Sequence, residues 1–187
     1  MKHSRGMTIL GLCLVLTAQA ASANDLERKA EKSMAKVWGE PFVMTSSSMV
    51  LPDSVKTTIE QQSGQAFSGP FLPFWTVTRQ DSLLGYAAMD AITLRGQQPL
   101  VLTVFDARAA VLRVQVFKFH GMYGRGATTQ RWLKHFHGKS AESDYSYAGG
   151  LPAISGATES AHGIRKAVKR LALVSQWVIN KATIADR

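Results

Sequence analysis

The spacing of apolar positions shifts along the chain, and each shift predicts a different kind of element. From Asp25 to Trp38, the apolar residues Leu26, Ala30, Met34 and Val37 recur at helical spacing, with Glu27, Arg28, Lys29, Glu31 and Lys32 between them. That pattern predicts an amphipathic helix ending at Gly39. A second, shorter helix is expected over 53–62, capped by Asp53 or Ser54 and stopped near Gly64. Residues 63–73, rich in Gly, Pro and Ser, read as a loop.

The centre of the chain has another period. Residues 74–80, 83–94, 100–105 and 111–119 are β-branched and aromatic, and short turns at Asp81-Ser82, 96–99 and 106–109 separate them. Strands joined so closely predict an antiparallel meander. In the last strand Leu112, Val114 and Val116 alternate with Arg113 and Gln115, so one face is expected inside and the other at least partly wet. The glycine-rich stretch 121–126 interrupts this pattern before a helix expected over about 128–136.

The clearest stripe lies near the C-terminus. Ala161, Ile164, Val168, Leu171, Ser175 and Val178 fall on one side of a helix, and Arg165, Lys166, Lys169 and Arg170 fall on the other, expected in solvent. Laying the apolar stripe on the sheet gives an α+β fold, an antiparallel β meander with helices covering one side.

At the N-terminus, Lys2 and Arg5 precede an apolar run from Met7 to about Ala20. The small-residue sites Ala18-Gln19-Ala20 and Ala21-Ser22-Ala23 follow. This is the pattern of a secretory signal peptide over 1–23, with Asn24 as the expected mature start and the periplasm as the destination. The run is about two-thirds of the roughly 20 residues a spanning helix needs, so a permanent anchor is the weaker reading. Cys13, the one cysteine, lies inside that run and follows Leu12, where a lipoprotein site would want a small residue. With the leader removed, no thiolate is left for disulfides, haem attachment, zinc or iron–sulfur ligation.

The formal charge of +9 suits an anionic ligand, an acidic redox partner or peripheral contact with an anionic membrane surface. Nucleic acid is disfavoured by the export signal and by basic residues spread along the chain without interleaved aromatics. His120, His135, His137 and His162 stand without carboxylate or thiolate partners at ligand spacing, so no metal site is expected. There is no nucleophile elbow, paired-carboxylate pattern or P-loop, and no catalytic residue is assigned.

The chemistry concentrates where the C-terminal helix begins. Ile154-Ser155-Gly156-Ala157-Thr158 is a run of mostly small residues that turns into the helix. Amides at a helix start carry partial positive charge and form an anion site without any lysine. Gly156 permits close backbone approach, Ala157 adds no bulk, and Thr158 offers a hydroxyl where a phosphate would sit. As a purely structural element, Thr158 would be an N-cap worth about 1 kcal/mol.

This segment resembles the FMN-binding domain family, which includes the covalent flavoprotein subunits of the sodium-pumping NADH:quinone reductase and the Rnf complex, and small stand-alone exported members. The family signature of Ser/Thr-Gly-Ala-Thr with Ser or Thr two positions on is matched by Ser155-Gly156-Ala157-Thr158 and Ser160. The resemblance extends over Leu84-Gly85-Tyr86-Ala87, 100–119, Tyr123-Gly124, Arg131-Trp132-Leu133, Phe136 and Gly138-Lys139, and is nearest to the stand-alone members. It departs at Pro152, where the family has an aspartate three residues before the serine.

The resemblance implies that a flavin transferase attaches FMN from FAD to Thr158 as a phosphoester, with Ser155 and Ser160 capping or lining the phosphate turn. It also places the loop of Tyr123, Gly124 and Arg125 near the isoalloxazine, where Tyr123 would stack and Arg125 would stabilise negative charge. Trp132 and Phe136, four apart, read as core. The implied organisation is a signal peptide over 1–23, a helical and loop extension over 24–82 and an FMN-binding domain over 83–180.

The expected function is electron relay between membrane or soluble redox partners outside the cytoplasm. The alternatives are a flavin-dependent reductase of a small extracytoplasmic substrate, and a noncatalytic ligand- or partner-binding module on a degenerate version of the fold, which Pro152 favours.

Overall fold

A computed structural model describes residues 25–94, 96–121 and 123–185. The expected signal peptide and its cleavage site lie outside these residues. The fold is α+β. Helix α1 covers residues 25–38. Then come β1 (Val43–Met49), α2 (Asp53–Ser63), β2 (Leu72–Arg79), β3 (Ser82–Ala91), β4 (Leu100–Asp106) and β5 (Val111–Phe117). The last described element is the long helix α4 (Thr158–Ala185), preceded by a short α3 (Gln130–Leu133).

The five strands form one antiparallel sheet in chain order, β1-β2-β3-β4-β5. β1 was not legible as a strand. Its sequence, Val-Met-Thr-Ser-Ser-Ser-Met, lacks an apolar alternation, and it stays largely exposed as an edge strand paired with β2 from Val43↔Thr78 to Met49↔Leu72. The stretch 24–82, expected as a helical and loop extension, supplies two strands of the sheet, and β2 pairs with β3 along its length.

Helices cover both faces of the sheet and not one, which corrects the expectation from sequence. On one face Phe74, Tyr86, Ala88, Val101 and Phe105 pack with Ile164, Val168 and Leu171 of α4 and Ile59 of α2. On the other, Trp75, Val77, Ala87, Met89, Leu102 and Val104 pack with Ala30 and Met34 of α1. The reason is visible in β4, whose residues Val101 through Phe105 are all buried, so neither face could be left to water.

Two other details differ from the sequence reading. In β5 the buried set includes Val111 with Val114 and Val116, because the register shifts between Val104 and Phe105 and leaves Leu112 half-buried at a bulge. The helix expected over 128–136 is broken into a 3-10 turn (Arg125–Thr128), α3 and a second 3-10 turn (Lys134–Phe136). The Thr129 side chain caps α3 by accepting from the Trp132 amide, which starts the helix at Gln130.

Arg170 is the main correction on α4. It is not on a solvated face but fully buried, with Nη2 donating to Asp90 Oδ2 at 2.7 Å and Nη1 donating to Gln65 Oε1 at 3.0 Å and to the Ala66 carbonyl. Asp90 also accepts from the Ser68 hydroxyl. The loop between α2 and β2 closes over this side of α4, so a residue that helical periodicity sends outward ends up beneath a lid of chain. Burial pulls the Arg170 pKa below its usual value, and the charges of Asp90 and Glu60 oppose that shift.

Candidate functional site

The site is built where the end of the long loop after the sheet turns into α4. Gly156 sits at φ +72°, a left-handed conformation that a side chain would strain, and this turn sends the chain into the helix. The Ala161 amide donates to the Ala157 carbonyl at 2.8 Å, which makes Ala157 the residue whose carbonyl takes the first helical bond. The amides of Thr158 and Ser160 lie in the first turn, ahead of any helical carbonyl that could accept from them. Ala157 is buried, and Thr158, the first residue of α4, is exposed.

The Gly124 loop packs directly on this turn. Gly124 has φ +89°, and a Cβ there would stand 2.2 Å from Ser160 Oγ and 3.0 Å from Ser160 Cβ. Only glycine lets the two segments meet so closely.

Between them lies a cleft of about 490 Å3 lined by Tyr123, Gly124, Tyr147, Gly156, Ala157, Thr158, Glu159, Ser160 and His162. That is within the ordinary size range of small-molecule and cofactor sites. Of the residues singled out in the sequence, the fold brings Tyr123, Gly124, Gly156, Ala157, Thr158 and Ser160 to this one cleft, although Tyr123 and Thr158 are 35 positions apart in the numbering. Ser155 and Arg125 are not in its lining. Ser155 is exposed in the turn, and Arg125 Nε donates to the Gly121 carbonyl at 3.1 Å. A narrower slot of about 150 Å3, lined by Leu94, Gln97, Phe119, Gly121, Tyr123, Glu159 and Ser160, adjoins the cleft and shares three of its residues.

Tyr147, Glu159 and His162 line the cleft without having been singled out as site residues. Glu159 and His162 follow Thr158 on α4 and could have been placed by helical spacing. Tyr147 could not, because it arrives from an irregular loop. That loop is well anchored: Lys139 Nζ donates to the carbonyls of Asp144 at 2.7 Å and Gly149 at 3.0 Å. The Asp144 carboxylate accepts from the amide and hydroxyl of Ser146, which hold its pKa below the usual carboxylate value. Tyr145, packed on Phe136, has its phenol pKa pushed up by burial.

Arg165 Nη2 lies 2.8 Å from His162 Nδ1, and because a guanidinium can only donate, Nδ1 is the acceptor and the neutral ring carries its proton on Nε2. Partial burial, then the charges of Lys166 and Arg165, hold the His162 pKa below its usual value.

Trp132 and Phe136 are buried and meet edge to face at 5.2 Å, as core residues. Trp132 Nε1 donates to the Pro152 carbonyl at 2.9 Å, fixing the chain just before the turn. Among the described residues no group of three or more His, Cys, Asp or Glu is arranged to hold a metal ion, and no helix is long and apolar enough to cross a membrane. No family model, curated protein or solved structure matches the chain.

Proposed function

We propose that this protein is an exported member of the FMN-binding domain family that carries FMN as a phosphoester on Thr158 and relays electrons between redox partners outside the cytoplasm. The observation that carries this reading is the setting of Thr158: an exposed threonine as the first residue of α4, lining a cleft of about 490 Å3 together with Tyr123.

The residues present suit the cofactor. The amides of Thr158 and Ser160 would face the ester phosphate, where the positive end of α4 favours an anion. Gly156 and Ala157 leave that end of the cleft free of bulk, and the Tyr123 ring offers an apolar surface to a planar group. Attachment by a flavin transferase forms a bond from Thr158 Oγ to the FMN phosphorus of FAD, with loss of the hydroxyl proton and release of AMP. Bound FMN would supply the redox chemistry, and the protein supplies its position and electrostatics. Thr158 is then an attachment residue and not a catalytic one. A covalent link also suits an open, dilute compartment, where a reversibly held cofactor would be lost unless its affinity were very high.

The adjoining slot favours a second reading. Its lining shares Tyr123, Glu159 and Ser160 with the cleft, a place where a small molecule could reach the flavin, as a flavin-dependent reductase requires.

The test is to produce the protein together with a flavin transferase. The mass should rise by that of FMN less water, and flavin absorbance should survive denaturation. Thr158→Ala should abolish both. An unmodified mass would leave a noncatalytic binding module, and oxidation of a bound flavin by a small molecule without any protein partner would favour the reductase.

A further inference from the structure

Two tyrosines are presented to the cleft, and only Tyr123 is accounted for by the sequence motifs. Tyr147 is 39 % exposed and Tyr123 75 % exposed, and both line the same cavity. A large ring left in water forgoes the stabilisation that burial would give it, so exposed rings that share one cavity point to a ligand that covers them.

Tyr147 is also held in place. The Arg165 guanidinium lies over its ring at 4.8 Å from the centroid, and Arg165 is itself fixed by His162 Nδ1. The backbone around it is pinned by Lys139 through the carbonyls of Asp144 and Gly149, and the Gly150 amide donates to the Tyr147 carbonyl at 3.2 Å. The ring is thus positioned before any ligand arrives, which lowers the ordering cost of binding. The start of α4 lines the same cleft, so aromatic surface and first-turn amides that favour an anion lie together.

We propose that Tyr147 is a positioning residue for the planar, conjugated ring system of the ligand in this cleft, stacking against it as a second aromatic wall beside Tyr123, with Arg165 packed on the Tyr147 ring and itself held by His162. The identity of that ring system as a flavin rests on the reading above; the role of Tyr147 does not depend on the covalent bond.

Riboflavin, which has the isoalloxazine but no phosphate, is the probe, added to protein made without a flavin transferase. Wild type should quench riboflavin emission on binding. Tyr147→Leu should weaken binding roughly two- to tenfold, the size of one aromatic pair, and quench less, whereas Tyr147→Phe should keep the affinity. Arg165→Gln should cause a smaller loss. The proposal is overturned if riboflavin does not bind, if Tyr147→Leu binds and quenches like wild type, or if Tyr147→Phe fails as badly as Tyr147→Leu. A protein that gains FMN mass but whose riboflavin affinity ignores Tyr147 keeps the flavin reading and loses this one. A protein that never gains mass, yet binds riboflavin in a Tyr147-dependent way, does the reverse.

Discussion

Arg170 and Asp90 meet at 2.7 Å with the arginine side chain wholly and the aspartate almost wholly withdrawn from solvent. The pair joins α4 to β3, and through Gln65, Ala66 and Ser68 it also ties down the loop between α2 and β2.

Removing one partner leaves the other charge buried and uncompensated. Arg170→Ala should therefore destabilise the protein by about 3–5 kcal/mol, and Arg170→Lys should not restore it, because a single ammonium cannot replace the forked contacts. The double variant Asp90→Leu/Arg170→Met should be far less damaged than either partner's loss alone. Urea denaturation of the variants measures each. A single-site loss below 1 kcal/mol would show that the pair is not buried in solution.

Gly124 against Ser160 sets a second expectation. Gly124→Ala combines a strained φ with a contact of 2.2 Å to Ser160 Oγ, and should cost about 1–3 kcal/mol while separating the Tyr123 loop from the start of α4. Ser160→Gly in the same chain should recover part of the stability by removing the clash, though not the strain. The readout is the denaturation midpoint.

Gly156 stands in open space, so only its backbone conformation resists substitution. Gly156→Val should cost about 1–2 kcal/mol, and Gly156→Asn less, since asparagine tolerates the left-handed region. Equal losses for the two, in thermal unfolding, would mean that the turn relaxes to another conformation.

His162 gives the pH dependence. Its folded pKa lies below the ordinary histidine value of 6.5, so between the two values the unfolded chain binds more protons than the folded one. Its contribution is fully present at neutral pH and above, and is lost as pH falls from about 6.5 through the lowered folded value. Ring resonances followed by NMR should titrate with a midpoint below 6.5, and Lys166→Gln should raise that midpoint. A midpoint at or above the usual value would contradict the environment described.

Much of this fold was legible because its signals are local. The apolar stripe of α4 from Ala161 to Leu171 is buried as its period requires, and the runs forming β2 to β5 announced themselves by composition. What escaped depended on distant neighbours. β1 is a strand because β2 offers it an open edge, and its serines carry no such message. Arg170 is buried because a loop roughly a hundred positions earlier folds over it, at Gln65 and Ala66. In the cleft, Gly156, Ala157, Thr158 and Ser160 of the turn and Tyr123 and Gly124 of the preceding loop had been singled out because a motif marks them, whereas Ser155 and Arg125, marked in the same way, lie outside its lining. Tyr147 was not, because its irregular loop is brought there by contacts distant in sequence, with Lys139 bonded to the Asp144 and Gly149 carbonyls and Arg165 packed on the ring.

The double covering of the sheet has a consequence for how this chain could be divided. β2 lies between β1 and β3, and α1 shields Met89 and Leu102 from behind. A fragment starting at β3 would present a bare strand edge and an oily surface at once, the combination that drives self-association. The half of the molecule bearing Thr158 cannot be transplanted without the half that keeps its back dry.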